Sequence, residues 1–205
     1  MNERFLHTLS RVWSGLFNPF WIPFLGFAGL FLFSYLSILP TPYKVRALTL
    51  VYTFTILLPM LGIWTYQKLK GQGMKDLSVR EARFVPYVMS IVSYAVCLLL
   101  LSQMGLPRYL VGIIGATLMA MVACMLINFW WKVSAHMAGM GGLVGGLVSF
   151  GLLFGYNPLG WLCAAILASG LLGTARMILK EHTLGQVLCG FLIGFLCAVY
   201  GIIYT

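Results

Sequence analysis

The chain is a succession of apolar stretches, each close to the length of a bilayer crossing, joined by short polar or proline-bearing segments. A helix needs about 20 apolar residues to cross the hydrocarbon core, where backbone polar groups must be satisfied without water. Seven stretches qualify, at roughly 17–39, 46–67, 85–104, 109–130, 137–156, 159–178 and 185–204. Composition agrees, with 61% of residues hydrophobic and 8% charged, against about 25% charged in a soluble domain. So few charges cannot build a water-facing surface. The expected fold is all-α, a polytopic transmembrane helical bundle of about seven spans, with a single domain over residues 17–205.

Residues 1–16 read differently. Phe5, Leu9, Val12, Trp13 and Leu16 recur at helical spacing with Arg4 and Arg11 among them, the pattern of a short leader helix lying in the membrane interface. Pro40 and Pro42 close the first span, Pro107-Arg108 separates the third from the fourth, and Asn157-Pro158 makes a tight turn between the fifth and sixth. The five cysteines fall inside apolar runs without a C-x-x-C pair and read as small hydrophobes. Gly139, Gly141, Gly142, Gly145 and Gly146 lie in the fifth span, where small residues let helix backbones approach closely.

Three polar clusters follow spans two, four and six, and so share one side of the membrane. They are Gln67 to Arg83, the group Lys132, Ser134 and His136, and the group Arg176, Lys180, Glu181 and His182. Ten Lys and Arg residues fall on that side (Arg4, Arg11, Lys68, Lys70, Lys75, Arg80, Arg83, Lys132, Arg176, Lys180) and three on the other (Lys44, Arg46, Arg108). The positive-inside rule would make the richer side cytoplasmic, whereas setting aside Arg80, Arg83, Lys132, Arg176 and Lys180 as functional ligands leaves five against three and the orientation open. The charges are too sparse to form a nucleic-acid-binding face. Asp76 is the only aspartate, so no acidic metal cluster can form. His136 and His182 alone are too few ligands for a typical zinc site.

Chemistry is therefore sought at the shared edge. Ser134 suits the N-cap of the fifth span, whose first-turn N–H groups would face an anion, with Lys132 and His136 on either side. Arg176 stands six residues before His182. In one unbroken helix the two would project about 120° apart, whereas a break near Lys180–Thr183 would turn both toward one pocket. Thr183-Leu-Gly-Gln186 fits a capping box that starts a new helix.

Ser134-Ala135-His136 and Arg176-x5-His182 resemble, in order, the P-S-G-H and S-R-x5-H-x3-D motifs of the type 2 phosphatidic acid phosphatase superfamily. Arg80 and Arg83, with Pro86 beyond, are a looser match to its K-x6-R-P motif. From about Gly71 onward the chain is similar to small bacterial membrane proteins of that superfamily. The resemblance implies a metal-independent and cofactor-free lipid phosphatase of the bacterial inner membrane. Its substrate would be a membrane lipid with a phosphate or pyrophosphate headgroup, such as a polyprenyl carrier, a glycerophospholipid or lipid A. His182 would be the nucleophile, forming a phosphohistidine, and His136 the general acid. Arg176 with Arg83 or Arg80 would bind phosphate oxygens, helped by Lys132 and the amides after Ser134.

This sequence departs from the family at several positions. Gln186 stands where the family has the aspartate that orients and charges the nucleophilic histidine. Val133, Ala135 and Ala175 replace the usual Pro, Gly and Ser. A glutamine can hydrogen-bond an imidazole but cannot stabilise its positive charge, and loss of such a carboxylate can cost about 10⁴ in rate. Gln186 also reads simply as the capping partner of Thr183, Glu181 as pointing away from the site, and Asp76 as a distant substitute. Two further readings stand beside the phosphatase: a non-catalytic protein that binds or transports a lipid phosphate, and a structural subunit of a membrane complex. Oligomeric state is not legible.

Overall fold

A computed structural model describes residues 3–70 and 84–204, and every regular element among them is helical. The leader forms α1 (Glu3–Leu16). A 13-residue helix α2 (Trp21–Phe33) continues through a 3-10 turn at Tyr35–Ile38. Then α3 (Thr41–Tyr52) runs through a π turn at Thr53–Leu57 into α4 (Leu58–Lys70). The remaining helices are α5 (Phe84–Ser102), α6 (Arg108–Asn128), α7 (Ala135–Phe154), α8 (Leu159–Ile178) and α9 (Leu184–Ile203). Six helices, counting Thr41–Leu69 as one, are long and apolar enough to cross a membrane. A bent pair, α1 and α2, supplies a seventh candidate span. Leu32, Leu152, Leu167 and Leu196 are each more than three-fifths exposed, the outward apolar surface that lipid covers.

The first predicted span, 17–39, is not one helix. The axes of α1 and α2 meet at 59°, because Asn18 caps a turn into α2, its Oδ1 accepting the Phe20 N–H at 3.1 Å. At the other end Ser34 closes α2, its hydroxyl donating to the Leu30 carbonyl at 2.6 Å and accepting the Leu36 N–H at 3.2 Å. The α and 3-10 pieces together still reach about 28 Å. The far end of the bundle is marked by ring contacts of Phe33 with Trp161 and of Tyr35 with Phe154, and by a hydrogen bond between the Tyr35 and Tyr109 hydroxyls. Of the apolar stripe on α1, Phe5, Leu9, Val12 and Leu16 are exposed, while Trp13 packs inward with Phe17 against Met137, Leu172 and Val187.

The second predicted span, 46–67, begins earlier and contains a helix defect. Pro59 has no N–H to donate to the Thr55 carbonyl one turn back, and the helix widens to a π turn at that place. Helix α5 answers the loosened carbonyls: Ser93 donates to Phe54 at 2.6 Å and Tyr94 to Thr55 at 3.4 Å. Such side-chain repair is how proline is accommodated inside a membrane. Two of the other breaks fall at expected residues, Pro107 and Asn157, while α7 ends just ahead of the expected turn. Pro107 precedes α6, Gly155 at φ 60° ends α7, and the Asn157 side chain accepts the Leu159 N–H at 3.0 Å to start α8.

Two kinds of interior result. Large side chains of α2, α3, α5 and α6, among them Phe27, Phe31, Tyr94, Leu110 and Ile114, fill one core. The seam of α7 with α9 is built instead from glycine. A Cβ on Gly141 would lie 1.9 Å from the Phe191 carbonyl oxygen, and one on Gly194 would lie 1.8 Å from that of Ala138. Ser134 just before α7 and Ala138 within it face Gly190 and Gly194 of α9, so the two helices run parallel with their N-termini side by side.

Candidate functional site

The site assembles where α6 and α8 end and α7 and α9 begin. Helix α8 stops because Lys180 takes up the left-handed conformation, φ 55°. The Lys180 N–H donates to the Met177 carbonyl at 2.9 Å and the Glu181 N–H to that of Arg176 at 3.1 Å, the two bonds of a Schellman closure. The chain therefore folds back over the last turn of α8 before Thr183 starts α9. Thr183 and Gln186 form the reciprocal capping box read from the sequence.

His182 is held inside this break, 7% exposed. Its Nδ1 lies 3.1 Å from Gln186 Oε1, and the same oxygen accepts the Thr183 N–H at 3.2 Å. A backbone N–H can only donate, so the amide oxygen is oriented toward both groups and Nδ1 must be the ring's donor. In the neutral imidazole Nε2 then carries the lone pair. Gln186 thus serves as helix cap and as histidine-orienting residue at once.

Glu181 does not point away from the site. Its Oε2 lies 3.6 Å from Lys132 Nζ and 3.8 Å from Arg176 Nη2. The left-handed Lys180 is the cause, since it turns the next residue back toward Arg176. Both separations are near the outer limit of an ion pair, and partly exposed pairs contribute at most about 1 kcal/mol. A carboxylate thus rests, lightly held, between two cations.

Ser134 occupies the N-cap position of α7 with extended backbone, but its side chain makes no capping bond. It is fully buried, and its hydroxyl has no hydrogen-bond partner among the described residues. Its role here is through the backbone: its N–H reaches the Gln186 carbonyl at 3.4 Å and ties the starts of α7 and α9 together. His136 is the second residue of α7. Arg80, Arg83 and Asp76 lie outside the described residues.

His136, Arg176 and Glu181 share the wall of a cavity of about 1700 Å³, larger than the several hundred Å³ of a usual small-molecule site. Arg11 of α1 joins them at this mouth, a residue the sequence reading treated only as a leader charge. From there the cavity follows α2, α7 and α8 to Phe33 and Trp161 at the far end of the bundle, with mostly apolar walls. Lys132, Ser134, His182 and Gln186 stand outside that wall. All six described site residues nevertheless gather at one end. Glu181 links Lys132 to Arg176, Gln186 links His182 to Ser134, and His136 and Arg176 share the mouth. Among the described residues no group of three His, Cys, Asp or Glu is placed to hold a metal ion. Compared with known proteins, the chain matches no family model, no curated protein and no solved structure.

Proposed function

We propose that the protein is a membrane lipid phosphatase of the type 2 phosphatidic acid phosphatase kind, hydrolysing a phosphomonoester or pyrophosphate of a lipid in a bacterial inner membrane. One observation carries this reading: an anion, the Glu181 carboxylate, already rests between Lys132 and Arg176, adjacent in sequence to an oriented histidine and at the mouth of an apolar cavity. A phosphate dianion carries more charge and offers paired oxygens to arginine, so it would displace a single, loosely held carboxylate. In the reaction, Nε2 of His182 attacks phosphorus as the bond to the lipid oxygen breaks, and His136 gives that oxygen its proton. Water then cleaves the N–P bond, releasing inorganic phosphate and restoring both imidazoles.

A second reading, a protein that binds or transports a lipid phosphate without turnover, is favoured by one feature. Gln186 orients His182 but brings no charge to stabilise an imidazolium. Phosphate release from labelled lipid phosphates by purified protein separates the two. The phosphatase reading expects release that His182→Ala abolishes. Equal rates for variant and wild type would remove it, and headgroup binding that needs Arg176 but not His182 would favour the second.

A further inference from the structure

Helix α1 presents three faces at the end of the bundle where the site lies. Ser10 and Ser14 are buried one turn apart, with Trp13 turned inward beside them, and α8 is the helix they pack along. Small residues at that spacing let two helices approach closely. Phe5, Leu9, Val12 and Leu16 form a separate, exposed stripe. Arg4, His7 and Arg11 recur at i, i+3 and i+7 and so make a third, polar line along the helix.

The anchor points of α1 lie next to the site. Trp13 packs against a cluster that holds Met137, the neighbour of His136, and that also gathers Met177, the neighbour of Arg176. The turn leading out of α1 is seated on α7: a Cβ on Gly139, one turn after His136, would lie 3.4 Å from the Pro19 Cα. Of the three residues on the polar line, Arg11 alone reaches the cavity wall, which it shares with His136, Arg176 and Glu181. Among the described residues Arg11 pairs with no carboxylate, whereas Lys132 and Arg176 share Glu181. A packed helix thus holds a guanidinium at the mouth, with donors that suit the paired oxygens of a phosphate.

We infer that Arg11 is a further headgroup-binding residue, a cation brought to the lipid phosphate by the leader helix from outside the three sequence motifs. This rests on the lipid-phosphate reading above and adds a ligand to that site. Helix α1 is then a part of the binding site and not only a helix at the membrane surface. Arg11 holds the headgroup alike before and during reaction, so its loss raises KM and leaves kcat nearly unchanged.

The test uses the full-length protein in phosphatidylcholine nanodiscs, whose surface carries no net charge. The probe is the phosphonate analogue of dioctanoyl phosphatidic acid, whose P–C bond resists hydrolysis. Arg11→Gln should weaken its binding about tenfold and raise KM for dioctanoyl phosphatidic acid by a similar factor, with kcat within about twofold. Arg11→Lys should recover most of the lost affinity. Arg4→Gln removes the same charge from the same polar line but away from the wall, and should change binding less than twofold. Inorganic phosphate should displace the phosphonate only at concentrations at least tenfold higher.

Unchanged binding by Arg11→Gln would overturn the inference. An equal loss in Arg4→Gln would also overturn it, since the helix would then act only through diffuse charge. Displacement by inorganic phosphate at equal concentration would make this a site for free phosphate and overturn the headgroup assignment. Binding that depends on Arg11 without any phosphate release would retain this residue and discard the phosphatase. Release that His182→Ala abolishes, with binding and KM indifferent to Arg11→Gln, would do the reverse.

Discussion

Two regions of the bundle use the same residue type to opposite ends. At the α7–α9 seam, Gly141 and Gly194 stand where a Cβ would collide with the backbone of the facing helix. In the α2–α8 cleft, Gly26 and Gly29 stand where a Cβ would touch nothing. The seam fixes the two helix N-termini that carry His136 and His182, and the cleft leaves the space that runs down from them. Small residues in a membrane helix thus mark contact only when the facing helix is there to make it. Which role a glycine plays is decided by its partner helix.

The largest expected effect lies in the seam. Gly141→Val and Gly194→Val should each cost about 3 kcal/mol or more through overpacking, read as loss of folded protein in detergent denaturation. Gly26→Ala and Gly29→Ala should leave stability unchanged or raise it by up to about 1 kcal/mol through helix propensity. Equal damage at both places would break the comparison and close the cleft.

At the site end, Gln186→Glu preserves the capping geometry and brings a carboxylate to His182. Phosphate release should rise at least about tenfold, a fraction of the roughly 10⁴ that such a carboxylate can be worth. An unchanged rate would show that the neutral amide is not what limits the chemistry. Glu181→Gln removes the resident carboxylate from Lys132 and Arg176, and lipid-phosphate binding should tighten about fivefold, the equivalent of ~1 kcal/mol. Weaker binding would make Glu181 a ligand of the headgroup and not its competitor. The smallest effect is expected for Lys180→Gly, which relieves a left-handed lysine and should stabilise the fold by about 0.5–1 kcal/mol, seen as a higher melting midpoint.

The spans were legible because each apolar run is bounded by Pro107, Asn157-Pro158 or a charged segment. The capping box at Thr183 was legible for the same reason, since its two residues signal locally. The break of the first span at Ser34 was not, because Phe17 to Leu39 carries no charged residue and the break depends on how Ser34 turns its hydroxyl onto the backbone. Glu181 was misread because a left-handed lysine leaves no mark in composition; glycine is the residue that announces such a turn. Ser134 has the right residue and position for a cap, yet burial beside α9 leaves its hydroxyl without the expected bond. The cavity was invisible in principle, since Gly26 and Gly141 look alike until the helices are placed.

In the proposed reaction a phosphoryl group passes through His182. Protein incubated with a phosphorus-labelled lipid phosphate, quenched in alkali to preserve an N–P bond and digested, reports this directly. The account predicts label on the peptide that carries His182, absent from His182→Ala. Phosphate release with no label there, or with the label on His136, would contradict it.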